Sequence, residues 1–174
     1  MIKKLHELLP LIYDRLNYPA EWDSLVIDRR KPHTFRIFRR FDDVFRACLH
    51  TFHACEEKDA FAHPHPWPGA FLLLSGEYNH TVGFSLDLES PPTFIYKEVI
   101  RPFSTYEITH KQLWHKVQPT MTTHTIMING LEWEGHKDTR TTKGKDLKSL
   151  SRDELGKQCR EFQLLIGNYF NKAD

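Results

Sequence analysis

The spacing of apolar positions changes period twice along the chain. Over residues 1–18, Ile2, Leu5, Leu9, Ile12 and Leu16 recur at intervals of three and four, the stripe of an amphipathic helix. Pro10 stands inside that stripe, where a proline costs about 3 kcal/mol, so the helix is predicted to kink or restart there. Asn17-Tyr18-Pro19 ends it. From Ser24 the period becomes that of strands. Short segments rich in Val, Ile, Phe, Tyr and Thr predict strands over 24–29, 34–39, 44–53, 69–75, 77–84, 93–99, 104–109, 112–117 and 122–128. Lys31-Pro32, Asp42-Asp43, Ser75-Gly76 and Ser90-Pro91-Pro92 punctuate them. Asn129-Gly130, followed by Leu131-Glu132-Trp133, predicts a hairpin. No helix falls between these strands, which excludes a parallel βαβ sheet and leaves a sandwich or barrel. Over 151–171 the helical period returns through Leu155, Cys159, Phe162, Leu165, Ile166 and Tyr169, with Ser151 and Glu154 spaced as a capping box. The expected architecture is all-β: one domain over 1–174, its β-barrel at 24–136, with an N-terminal helix at 1–18 and a C-terminal helix at 151–171.

Composition narrows the classes of function. At 174 residues and 40% hydrophobic, the chain is long enough to bury a sizeable core. Twenty-four basic and 23 acidic side chains leave a net charge of +1, which argues against coating nucleic acid or anionic lipid. The clusters Arg29-Arg30-Lys31 and Arg39-Arg40 are interrupted by acids. The polar stretch 134–150, with Lys137, Arg140, Lys143, Lys145 and Lys148, reads as a solvated surface loop. No apolar run approaches the ~20 residues of a membrane span, and no export signal opens the chain. Cys48, Cys55 and Cys159 cannot all pair, so reduced thiols and a cytoplasmic setting are expected. Cys159, on the apolar stripe of its helix, reads as a small buried hydrophobe.

Eleven histidines and ten prolines remain to be explained. The most unusual segment is Phe61-Ala62-His63-Pro64-His65-Pro66-Trp67-Pro68-Gly69. Each proline biases the histidine before it to extended backbone, and two residues apart on a strand both imidazoles point one way. They can then close on one metal ion at about 2.0–2.2 Å per bond. The prolines bar the stretch from a central strand and place it at a rim or strand entry. Some fifty residues on, Leu113, His115 and Val117 share a face, and His115 meets the pair if the two strands face one another inside a barrel. Three histidines suffice for a metal with open positions. Taken alone, the same residues also fit an exposed proline-rich loop and a satisfied core histidine.

Together these residues carry a resemblance. The series Leu49-His50-x-Phe52, His63-x-His65-Pro66-Trp67, Leu73-Leu74-Ser75-Gly76-x-Tyr78, His115, Thr125-Ile126-Met127-Ile128-Asn129-Gly130 and Trp133 resembles the cupin superfamily, in particular small bacterial and phage cupin-like proteins. The resemblance covers about 24–136 and neither terminal helix. It implies a double-stranded β-helix (jelly-roll) barrel with a divalent metal in its mouth, held by His63, His65 and His115. It also implies pairing as a homodimer. The pattern departs from the family in three places. Gly69 and Ala70 stand where the usual glutamate is expected. Glu57 replaces the glycine before the first histidine. His110-Lys111-Gln112-Leu113-Trp114 replaces the proline-glycine approach to the last one.

Two readings follow. In the first, a metal-dependent enzyme acts on a small molecule, with Fe(II) the foremost ion and Zn(II), Mn(II) or Ni(II) the alternatives. Iron suits oxidation, and a redox-inert ion suits isomerisation or hydrolysis. In the second, the missing carboxylate leaves a binding module whose metal is structural or absent. Trp67, Phe71, Trp114 and Trp133 are candidates for the mouth of the pocket, with ordinary core packing as the alternative. Arg36, Arg39 and Arg46 are solvated if they point outward; any that points inward can clamp a carboxylate. His53 and Cys55 read as packing beside the motif and Glu77 as a surface residue, while nothing in the sequence ranks His80, His110, His124 and His136, for each of which exposure is one option.

Overall fold

The computed structural model describes residues 1–86, 90–134 and 147–173. A helix, α1 (Ile2–Arg15), opens the chain. Ten strands follow: β1 (Asp23–Ile27), β2 (Thr34–Arg40), β3 (Arg46–Phe52), β4 (Ala62–Pro64), β5 (Gly69–Ser75), β6 (Tyr78–Phe84), β7 (Phe94–Ile100), β8 (Thr105–Ile108), β9 (Leu113–Pro119) and β10 (Thr123–Asn129). A second helix, α2 (Arg152–Ala173), closes it. The strands form a six-stranded sheet ordered β1-β2-β3-β10-β5-β8 and a four-stranded sheet ordered β4-β9-β6-β7. Every strand pair is antiparallel.

Period-2 alternation sorts the six-stranded sheet into two faces. Ile37, Ala47, Leu49, Ala70, Leu72, Leu74, Ile126 and Ile128 join one cluster with Leu5, Leu8, Leu9, Ile12 and Leu16 of the N-terminal stripe and Cys159, Phe162 and Ile166 of α2. Both helices therefore cover the outer face of this sheet. The alternate residues Cys48, Phe71 and Met127 pack with Ile108 and with Leu113 of β9, which belongs to the other sheet. Leu73, Tyr78, Ile100 and Val117 continue that interior. Strands β3, β5 and β10 are thus buried on both faces, which explains the unbroken run Phe71-Leu72-Leu73-Leu74. Each fully buried leucine or isoleucine contributes about 1.5–3 kcal/mol.

Three expectations are corrected. Of the kink or restart expected at Pro10, the restart does not occur: α1 is one helix through that position. Pro10 and His6, whose carbonyl loses its donor, both lie on the solvent side of α1, and the buried leucines on either side of them hold the helix to the sheet. Asn129-Gly130 makes no hairpin. Gly130 lacks the positive φ that a two-residue hairpin turn requires, and the chain leaves β10 to donate Gly130 N–H to Pro68 O and Trp133 N–H to Pro66 O. The proline-rich segment that carries His63 and His65 also holds a short strand, β4, unassigned from sequence, which pairs only with β9 at the sheet edge. The capping box forms as expected: Ser151 N–H and Oγ–H both donate to Glu154 Oε2, and Glu154 N–H donates to Ser151 Oγ. Lys137, Arg140, Lys143, Lys145 and His136 lie outside the described residues.

Candidate metal centre

Strand pairing assembles the three motif histidines. Prolines 64 and 66 keep His63 and His65 extended and, lacking N–H groups, confine β4 to the edge of its sheet. The register then sets His63 directly beside His115 on β9. The two strands are neighbours in one sheet and do not face each other across the barrel. His65, just past the end of β4, turns its ring to the same point. Ring centroids lie 5.1 Å apart for His63–His65, 4.7 Å for His63–His115 and 4.7 Å for His65–His115. One ring nitrogen from each falls within 4.8 Å of the others. Among the described residues no carboxylate or thiol joins this group, and the positions where a glutamate was expected are taken by Gly69 and by Ala70, which packs on the helix side of the sheet.

Burial and a chain of imidazoles tune the group. His115 is 2% and His65 7% exposed, and His63 is half-buried. Burial, reinforced by the neighbouring histidines, holds His115 well below the usual histidine range, so it is neutral and has a lone pair to offer at ordinary pH. His65 Nε2 lies 2.8 Å from His115 Nε2. On the other side, His115 Nδ1 lies 3.1 Å from His80 Nε2, and His80 Nδ1 faces Glu98 Oε1 at 3.7 Å. At that distance no hydrogen bond forms, so Glu98 acts on His80 through its charge alone. With the hydrogen of His115 on Nδ1, His80 Nε2 accepts it and the lone pair of His115 lies on Nε2, inside the triad, which is the tautomer that a metal there requires. Three imidazoles with ring nitrogens this close together would hold a first-row divalent ion. The residues present therefore fit a divalent metal.

His80, which the sequence alone does not rank, is 3% exposed. Its alternation with Tyr78 and Val82 on β6 was the available signal. Its partner His115 lies one strand away and 35 residues later, so only pairing reveals the contact. His124 is also buried, but it faces α2 through Glu161 and Phe162, away from the triad. His110 is exposed. His53 packs edge-on against Phe35, and Cys55 is a half-buried thiol. Glu77, at the β5–β6 turn, receives the Thr120 hydroxyl at 3.3 Å.

The aromatic residues divide. Phe71 is buried against His65 (5.5 Å) and His115 (5.8 Å) and stacks on Tyr106 (4.6 Å), making it both core and wall of the site. Tyr78 donates its hydroxyl hydrogen to Tyr106 Oη at 2.9 Å. Trp67 lies under the Arg46 guanidinium at 4.7 Å. Trp114 projects to the opposite face of β9 from His115 and lines an outer cleft of about 760 Å³, which His63 and Phe61 also reach. Trp133 lies apart beside Thr109 and Lys111. Of the three flagged arginines, Arg39 pairs outside with Glu21, whereas Arg36 and Arg46 face the barrel interior.

No family model matches the sequence, and no curated protein does. Solved structures match the fold. Hydroxypropylphosphonic acid epoxidase from S. wedmorenis aligns over 64% of this chain and 56% of its own at 14% identity, with a TM-score of 0.50. An Fe(II) form of HppE aligns over 64% and 57% at 12% identity, with a TM-score of 0.52. A cupin superfamily protein from Desulfitobacterium hafniense aligns over 61% and 84% at 13% identity, with a TM-score of 0.41. The chain spans a little over half the length of the epoxidase structures. No helix among the described residues is long and apolar enough to cross a membrane. Two antiparallel sheets closed as a jelly roll, with three histidines gathered on the inner side of one of them, give this chain a cupin-like fold.

Proposed function

We propose that the protein is a metal-dependent cupin that holds one divalent ion through His63, His65 and His115 and acts on a small molecule inside the barrel. The observation that carries this reading is the meeting of three imidazoles, one from β4, one just beyond it and one from β9, with ring nitrogens within 4.8 Å of one another. Histidine-only ligation suits several first-row ions, and Fe(II), present in one structure of similar fold, is the ion we favour. Such an ion supplies a Lewis acid or a redox centre with positions open to substrate. The chain's own residues do the rest. The His80–His115 contact holds the tautomer of one ligand. Phe71, Leu113, Val117 and Tyr106 exclude water from one side. The half-buried His63 borders the outer cleft, which is the route we assign to substrate.

The test is elemental analysis of tag-free protein purified without chelator, beside His115→Ala. The expected result is close to one transition-metal ion per chain, lost in the variant. Wild-type protein that is metal-free and takes up none of Fe(II), Zn(II) or Mn(II) overturns the proposal. The absence of a carboxylate beside the triad among the described residues would then favour a non-catalytic binding barrel.

A further inference from the structure

The interior face of the six-stranded sheet carries two cations and a buried donor that the metal site does not use. By register Arg36 of β2 stands opposite His50 of β3, and Arg46 lies four residues back along β3, on the same face. Cys48 stands between them, and its thiol lies within the field of both guanidinium groups. Both arginines are half-buried. Arg36 donates its Nε–H to His50 Nε2 at 2.9 Å. Arg46 donates its Nε–H to Asn129 Oδ1 at 3.2 Å and lays its plane over Trp67, two residues after His65. Arg46 has no carboxylate partner among the described residues.

His50 supplies the third element. It is 4% exposed, and burial followed by the charge of Arg36 keeps it neutral. Because its Nε2 accepts from Arg36, its ring hydrogen sits on Nδ1. That Nδ1–H is buried and makes no hydrogen bond. Trp67, under the Arg46 guanidinium, follows His65 by two residues, which ties this face to the segment that carries the first two histidines. An inward guanidinium without a carboxylate partner among the described residues, that of Arg46, is an uncompensated cation, and a buried N–H without an acceptor is a desolvated donor. An oxyanion between them relieves both.

We infer that the barrel binds the anionic group of its ligand, a small carboxylate or phosphate-class molecule, among Arg36, Arg46 and the Nδ1–H of His50, beside the histidine triad. The inference deepens the proposed function by giving its substrate a chemical class, and it rests on that reading only for the ion's position. None of the three residues is a proposed metal ligand.

Calorimetric titration tests it with malonate, inorganic phosphate and the neutral isostere malonamide as probes. Each is added to chelator-treated and to Zn(II)-loaded protein, for wild type, Arg46→Gln and Arg46→Lys. Malonate or phosphate should bind wild type in both states, and malonamide should not. The probe that binds more tightly identifies the anion class. Loss of a charged donor in Arg46→Gln should weaken binding by about tenfold or more, with Arg46→Lys intermediate and metal content unchanged. Circular dichroism confirms that each variant is folded. Equal binding of malonamide, binding unchanged in Arg46→Gln, or no anion binding to wild type at millimolar concentration overturns the inference. So does binding seen only with Zn(II) and indifferent to Arg46→Gln, because the anion would then sit on the ion alone. A chain that takes up no metal but binds malonate through Arg46 sinks the metal reading and leaves the anion site standing.

Discussion

Gly76→Ala should weaken the barrel at the turn where the chain passes from one sheet to the other. Gly76 joins β5, in the six-stranded sheet, to β6, in the four-stranded sheet that carries His80. Its φ is +76°, and a Cβ there would meet Thr122 O at 2.5 Å, Thr123 Oγ1 at 2.6 Å and Thr123 Cα at 2.9 Å. Two of these atoms are backbone just before and at the start of β10, the central strand flanked by β3 and β5, and cannot swing away as a flexible side chain would. The left-handed backbone costs an L-residue roughly 1–2 kcal/mol, and forcing a methyl into a filled space costs about 1–3 kcal/mol more, so the loss is about 2–5 kcal/mol. Against a typical total of ~5–15 kcal/mol this is severe. The assay is urea unfolding followed by far-UV circular dichroism, with the midpoint lowered and the slope unchanged. Gly76→Asn separates the two contributions. Asparagine tolerates positive φ but carries the same Cβ, so it should be nearly as damaging as alanine. A loss below about 1 kcal/mol in Gly76→Ala, or near-wild-type stability in Gly76→Asn, would refute the steric reasoning.

Three further outcomes are expected. His80→Phe keeps a ring in the barrel but removes the acceptor of His115 Nδ1–H, and should lower metal affinity about 10–100-fold in competition with a chromophoric chelator; unchanged affinity would show that His80 does not orient its neighbour. Metal-free protein should lose stability as pH falls from 7 to 5. Burial depresses His50 and His124 below their unfolded value near 6.5, so below that pH the unfolded chain binds more protons; urea midpoints that stay flat or rise on acidification contradict this. Ser151→Ala removes the hydroxyl half of the capping box and should cost about 1 kcal/mol in thermal unfolding, and an unchanged melting temperature would show that the start of α2 is held by packing alone.

Local signals in the sequence determined most of the secondary structure. The stripes of α1 and α2, the Ser151–Glu154 cap, the glycine turn at 76 and the period-2 strands are short-range patterns, and each is present where its residues predicted it. The three histidines of the candidate centre were legible for a similar reason: prolines after His63 and His65 constrain the backbone locally, and the alternation of Leu113, His115 and Val117 marks an inward face. Pairing and register were not legible, because they depend on contacts between residues far apart in the chain. Only the tertiary structure made β4 and β9 neighbours in one sheet, brought His80 to His115, turned Arg36 and Arg46 inward while Arg39 faced out, and diverted Gly130 from a hairpin to the carbonyl of Pro68. A strand's alternation says that two faces exist. Which face is inside, and which side chain from another strand waits there, is decided when the sheets close and the helices take the outer surface.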